Sequence, residues 1–216
     1  VLPTGLGKTA TAFMLAAQRF HNYPKSKVLM LAPTKPLCEQ HVETFRKHME
    51  VEENKIVLFT GSVKPEKRAE LWKEAQIIVS TPQGLENDTI NKRIKLAEVS
   101  LLIFDEAHRA TGDYAYVWLA DQYEKSSKYS RILALTASPG SEMEKVKEVC
   151  ENLHIEKLEV RTEKDPDVKP YIQPVQIKWE KIDFPEEYKQ AQKYLKDCRK
   201  SKLIEAQSYG YCKSSD

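Results

Sequence analysis

Leu101-Leu102-Ile103-Phe104-Asp105-Glu106-Ala107-His108 joins four apolar residues to two carboxylates, one small residue and an imidazole. An unbroken apolar run of this length, closed by charge, describes a strand buried on both faces that delivers acidic side chains at its carboxyl end. The same kind of run recurs at Val28 to Ala32, Ile56 to Thr60, Ile77 to Ser80 and Ile132 to Thr136. Between the runs the apolar residues adopt helical spacing. Phe13, Ala16, Ala17 and Phe20 share one face of a helix expected over Thr9 to Phe20, and Pro36 to His48 predicts another. Ser141 with Glu144 has the form of a capping box opening a further helix. Strands alternating with helices imply crossover connections and a mostly parallel sheet covered on both faces, an α/β fold whose ligands bind at the carboxyl ends of the strands.

At 216 residues and 41% hydrophobic content, the chain can form one large domain, or one domain and the beginning of a second. Lys and Arg total 34 against 32 for Asp and Glu, and the resulting net charge of +2 neither implies nor excludes a nucleic-acid partner, because a balanced surface can carry a local basic groove. Cys38, Cys150, Cys198 and Cys212 are never spaced as CxxC, which argues against a zinc knuckle and a disulfide scaffold and predicts reduced thiols in an intracellular protein. No apolar run approaches the roughly 18 to 20 residues that span a bilayer, and no signal-peptide pattern opens the chain, so a soluble protein without a membrane partner is expected. The strand–helix rhythm breaks near Asp165, Pro166, Pro170 and Pro174. Val175, Ile177 and Trp179 then alternate as a half-exposed strand, and Pro185 opens a long helix. The expected division is a domain over 1–165, a connecting segment over 166–184 and a second unit beginning at 185.

Chemistry concentrates in two places. Pro3-Thr4-Gly5-Leu6-Gly7-Lys8-Thr9 runs directly into a helix, as a loop must if its backbone N–H groups are to turn inward around phosphates. Lys8 would add a point charge on the phosphates and Thr9 a hydroxyl ligand for Mg²⁺. The usual pattern has Gly six residues before the lysine, where this chain has Leu2, so the loop alone does not exclude an ordinary glycine turn. Asp105-Glu106-Ala107-His108 removes that ambiguity, since the string should arise by chance in roughly one chain in a thousand and follows the strand it requires. Asp105 can hold Mg²⁺ opposite Thr9, Glu106 can orient and deprotonate an attacking water, and His108 falls where it could sense a γ phosphate.

With both sites in hand, the chain resembles the first motor domain of DEAH-containing superfamily 2 helicases, and more narrowly the archaeal Hef and eukaryotic Fanconi anaemia M-type helicases. The matching stretches are Leu2 to Thr9, Leu31 to Leu37, Thr60-Gly61-Ser62, Thr81-Pro82-Gln83, Phe104 to Ala110, Tyr114-Ala115-Tyr116 and Leu135 to Gly140. The resemblance implies a RecA-like parallel sheet sandwiched by helices, followed by the start of a helical thumb-like insertion, and it implies ATP and Mg²⁺ as cofactors. Leu2, Pro3, Thr4, Gly5, Leu6, Gly7, Lys8, Thr9 and His108 are then the nucleotide contacts, with Lys8, Asp105 and Glu106 in catalytic roles.

It further implies that Pro33, Thr34 and Lys35, then Thr60 and Gly61, then Thr81 and Pro82, grip a nucleic-acid backbone, and that Thr136 and Ser138 couple the two ligands. All follow strand ends, so their hydroxyls and N–H groups could hold sugar-phosphate without reading bases. Turn chemistry accounts for each taken singly.

The implied activity is an ATP-dependent helicase or translocase acting on branched DNA such as forks and junctions in DNA repair. A double-stranded RNA translocase of the innate-sensor type is one alternative, because the group that reads a 2′-hydroxyl is not visible in sequence. A nucleotide-gated binding fragment without turnover is another. The feeding strand before residue 3 and the second motor domain are expected to be missing, so hydrolysis by this piece should be weak. The implied compartment is the cytoplasm for an archaeal source and the nucleus for a eukaryotic one. After Pro185, Lys189, Lys193, Lys196 and Lys200 form a basic stripe beside an apolar one of Ala191, Leu195 and Cys198. The stripe could rest on a duplex backbone, although charge stripes usually mark a solvated face.

Overall fold

The computed structural model describes residues 1–138, 143–172 and 178–211. Ser141 of the expected capping box, and Val175 and Ile177 of the expected alternating strand, lie outside them. Each apolar run is a strand: β1 Lys27–Leu31, β2 Ile56–Phe59, β3 Ile77–Ser80, β4 Val99–Phe104 and β5 Ile132–Ala134. Every neighbouring pair is parallel, in the lateral order β2-β3-β1-β4-β5. Thr60, Asp105 and Thr136, expected at the ends of their strands, instead lie just beyond them, where the chain turns off the sheet.

Alternation along the strands sorts the apolar side chains into two cores. Leu29, Leu31, Phe59, Ile78, Leu102 and Phe104 point to one face and pack with Trp72 of α3 (Pro65–Glu74), Leu85 of α4 (Pro82–Ile90) and Tyr116 and Leu119 of α5 (Ala115–Ser126). Val28, Met30, Ile77, Val79, Leu101 and Ile103 point to the other. They meet Ala12 and Ala16 of α1 (Lys8–Asn22) and Cys38, Val42 and Phe45 of α2 (Lys35–His48). A wholly buried ring such as Phe104 contributes roughly 2 to 3 kcal/mol by transfer from water. The face of α1 differs in detail from the sequence reading. Ala12 and Ala16 are its fully buried apolar residues, Phe13 and Phe20 lie at the margin, and Ala17 is exposed, because the small alanines let this helix lie close to the sheet.

On the opposite face a buried ion pair ties α3 to α4. Arg68 donates from Nε and Nη2 to the carboxylate of Asp88, which is fully buried, and its Nη1 donates to the carbonyls of Thr60 and Val63. Removing the carboxylate would leave a guanidinium charge inside the protein, at a cost of roughly 3 to 5 kcal/mol. Asp88→Ala is therefore expected to lower the melting temperature by roughly 10 °C in a circular-dichroism melt, and a shift of under 2 °C would contradict a structural role for the pair.

The chain divides into residues 1–172, which include α6 (Met143–Asn152), and 173–216. The second unit carries α7 (Glu186–Ser208), which Pro185 caps and whose first turn is acidic through Glu186 and Glu187, as suits the positive end of a helix dipole. Lys189, Lys193, Lys196 and Lys200 are exposed along it. Among the described residues no helix is long and apolar enough to cross a membrane.

Candidate nucleotide and nucleic-acid site

Because the strands are all parallel, their carboxyl ends share one edge, and the polar residues singled out in the sequence follow that edge. Phe59 pairs with Ser80, Leu31 with both Ser80 and Phe104, and Phe104 with Ala134. Past these positions the edge presents Thr60, Thr81, the Ala32-Pro33-Thr34 turn, Asp105 and Leu135-Thr136, in that order. The phosphate loop comes next: the Leu2 N–H donates to the Thr136 carbonyl at 3.2 Å. On its far side the amino group of Val1 donates to the Glu159 carbonyl at 2.6 Å, and the Arg161 N–H donates to the Val1 carbonyl at 3.0 Å. The residues expected to grip nucleic acid thus occupy the β2-β3-β1 half of the edge. Those expected to hold nucleotide occupy the β4-β5 half and the loop beyond it.

In the nucleotide half, Gly5 and Gly7 have φ of 82° and 91°, the left-handed conformation that aims successive N–H groups inward. A Cβ at Gly5 would meet nothing within 4 Å, so backbone conformation rather than crowding calls for glycine there. Lys8 opens α1 and curls over the loop, its Nζ donating to the carbonyls of Leu2 at 2.9 Å and Pro3 at 3.2 Å. Asp105, 9% exposed, follows β4 directly, and Glu106 after it is itself left-handed at φ 49°, ψ 47°. His108 Nδ1 lies 3.0 Å from Thr136 Oγ1 and 3.3 Å from Glu106 Oε2. Thr136 Oγ1 accepts the Ser138 N–H at 3.1 Å. Thr136 is therefore a hub, holding the entry to the loop by its carbonyl and the acidic turn by its hydroxyl. A cavity of about 300 Å³ lined by Leu2, Lys8, Thr11, His108 and Thr136 opens beside it.

The donors Thr9 and Asp105 are hard oxygens. Among the described residues no cluster of three or more His, Cys, Asp or Glu is assembled. That set suits Mg²⁺, which takes one or two protein ligands and completes its shell with phosphate oxygens and water.

In the other half, Thr34 and Thr81 stand at the N-caps of α2 and α4, and neither hydroxyl makes a capping bond. Both hydroxyls could meet a phosphate oxygen, whereas Pro36 and Pro82 in the first turns carry no N–H to add. Lys35 is exposed and only loosely paired with Glu39 at 3.6 Å. Gly61 is exposed. Thr60, whose hydroxyl lies 2.8 Å from Ser62 Oγ, and Pro82 are buried, so they shape their turns rather than offer side chains to a ligand.

Two side chains at the boundary between β1 and β4 have partners that the sequence reading did not assign. The Tyr116 hydroxyl lies 2.8 Å from the Asp105 carbonyl and 3.2 Å from the Leu31 carbonyl, and burial pushes its pKa far above the ordinary tyrosine value, so it remains a donor. His41 Nε2 donates to Asp105 Oδ2 at 2.8 Å. Nearby, burial pushes the Cys38 thiol up to about 11, which leaves it an inert core group. The Tyr114-Ala115-Tyr116 motif marked the first of these positions without its partners. His41 reads in sequence as one more residue of an amphipathic helix.

The family model for DEAD/DEAH box helicases matches residues 1–146. A Methanocaldococcus jannaschii protein provisionally named an ATP-dependent RNA helicase is 48% identical over 203 residues, 94% of this chain and 26% of that one. The Drosophila melanogaster DEAD-box ATP-dependent DNA helicase Fancm is 38% identical over 199 residues, 90% of this chain and 13% of its own length. The crystal structure of the Pyrococcus furiosus Hef helicase domain aligns with a TM-score of 0.79 at 48% identity, covering 100% of this chain and 46% of that chain. The chain therefore spans about a quarter or less of these two full-length relatives and under half of the solved one.

Proposed function

The chain belongs to the DEAD/DEAH box helicase family, and from that premise we propose that it is the nucleotide-binding motor domain of an ATP-dependent DNA helicase or translocase working on branched DNA. One observation supports the reading: the Gly5-Gly7-Lys8 loop and the Asp105-Glu106-His108 turn share one half of a single sheet edge, and the Thr34, Gly61 and Thr81 turns share the other half.

In this reading Lys8 and the inward N–H groups of the loop bind the β and γ phosphates of ATP, and Thr9 with Asp105 would hold Mg²⁺. Mg²⁺ when bound neutralises phosphate charge. Glu106 accepts the proton of the attacking water. His108, lying between Glu106 and Thr136, transmits any change at the γ phosphate to the Thr136-Ser138 turn. Thr34, Lys35, Gly61 and Thr81 hold the sugar-phosphate backbone, and α7 carries a basic stripe of exposed lysines of its own. A grip of this kind is blind to sequence.

Two substitutions test the grip. Lys35→Ala should weaken binding to all sequences alike and lower the log–log salt slope by about one unit, because one phosphate fewer is neutralised. Thr81→Ala should weaken binding with the slope unchanged, since it removes a hydroxyl and no charge. A salt titration by fluorescence anisotropy with unmatched oligonucleotides reads both, and equal, sequence-dependent losses would contradict the reading. Forked DNA is expected to outcompete double-stranded RNA of the same length in that assay. The reverse result would favour the RNA translocase reading, in keeping with the name of the Methanocaldococcus jannaschii relative.

A further inference from the structure

His41 lies in the second turn of α2, six residues beyond Lys35 and under the boundary between the two halves of the sheet edge. Its side chain is 8% exposed and that of Asp105 12%. A carboxylate only accepts, so the 2.8 Å bond to Asp105 Oδ2 assigns the proton to Nε2. The other nitrogen, Nδ1, is buried and has no hydrogen-bond partner among the described residues. A buried polar atom without a partner costs stability, so an apolar residue of similar shape would serve packing better. What the imidazole supplies in return is the bond itself, which commits Oδ2 of Asp105 and leaves the other carboxylate oxygen without a hydrogen bond among the described residues.

We propose that His41 is a positioning residue: it fixes the rotamer of Asp105 so that the metal-facing oxygen is preset. The inference rests on the reading of Asp105 as a Mg²⁺ ligand. Its physical basis is general, since groups that hydrogen-bond metal-ligating carboxylates orient them, and losing such a group typically costs 10- to 100-fold in metal affinity.

The test uses the 216-residue chain, a fluorescent ADP analogue and a Mg²⁺ titration of nucleotide affinity. His41→Leu is expected to raise the Mg²⁺ midpoint about tenfold or more while leaving nucleotide affinity without Mg²⁺ unchanged. His41→Gln, whose amide N–H reaches about as far as Nε2, is expected to recover most of the loss. A purely structural histidine would lower the melting temperature of both variants and move neither midpoint. A wild-type midpoint in a cooperatively melting His41→Leu protein, or equal loss in the Leu and Gln variants, overturns the proposal. Should His41→Leu fail to fold, ¹⁵N chemical shifts of the wild-type ring decide. A ring whose shifts are perturbed when Mg²⁺ joins bound nucleotide supports positioning, and an unperturbed ring refutes it. A wild-type protein whose nucleotide affinity ignores Mg²⁺ would overturn the metal reading of Asp105 and this inference with it.

Discussion

Lys8→Ala is expected to raise the nucleotide dissociation constant by about two orders of magnitude while the melting temperature moves by only a few degrees. Among the described residues the ammonium donates hydrogen bonds only to the carbonyls of Leu2 and Pro3 in its own loop. No core cluster includes it, and alanine is the best helix former for the position that opens α1. In the bound state it would make charge-assisted bonds to phosphate worth about 1.5 to 3 kcal/mol each, so losing them costs close to 3 kcal/mol, or roughly a hundredfold. Isothermal titration with ATP alongside a thermal melt measures both quantities. Wild-type affinity in the variant would remove the phosphate loop from the proposed function, whatever became of the nucleic-acid half.

The second large effect belongs to Glu106→Gln, measured in a protein extended to include the second motor domain that the family resemblance implies. Steady-state turnover is expected to fall by roughly 100- to 10,000-fold with affinity for ATP retained, because the amide keeps the shape of the carboxylate but cannot take the proton of water. The geometry supports the separation of roles: Glu106 turns toward His108, while Asp105 is held by His41. Normal hydrolysis by the variant would assign the base elsewhere, whereas lost binding would mean that Glu106 holds nucleotide rather than water.

Much of this arrangement is legible in the chain. Each apolar run became a strand because an unbroken Val-Ile-Leu stretch has no stable place except a layer covered on both sides, and the polar residue that ends each run had to fall at the edge. Lateral order was not legible. Local pattern determines that strands are parallel, but whether β3 inserts between β2 and β1 depends on how the crossovers pack, which no window of sequence contains. The halves of the edge are a product of that order. The hidden members of the site were hidden for a related reason. His41 meets Asp105 across a separation of 64 residues, and Arg68 meets Asp88 from a different helix. Helical periodicity reports which face is buried, and it is silent on which long-range acceptor a buried polar group will find. Thr60 and Pro82 show the opposite failure, since a strand-end turn can present its backbone while its side chain folds inward.

The left-handed backbone of Glu106 has a consequence for anyone who would engineer this protein. A residue with a Cβ pays roughly 1 to 2 kcal/mol in that conformation, and glycine or asparagine would relieve much of it. With Glu106 as the proposed base, selection for heat resistance alone would drift toward replacing the carboxylate and so enrich sturdier molecules at the expense of turnover. Rigidity and turnover pull in opposite directions at this one position. A library sorted by melting temperature must therefore carry an activity counterscreen.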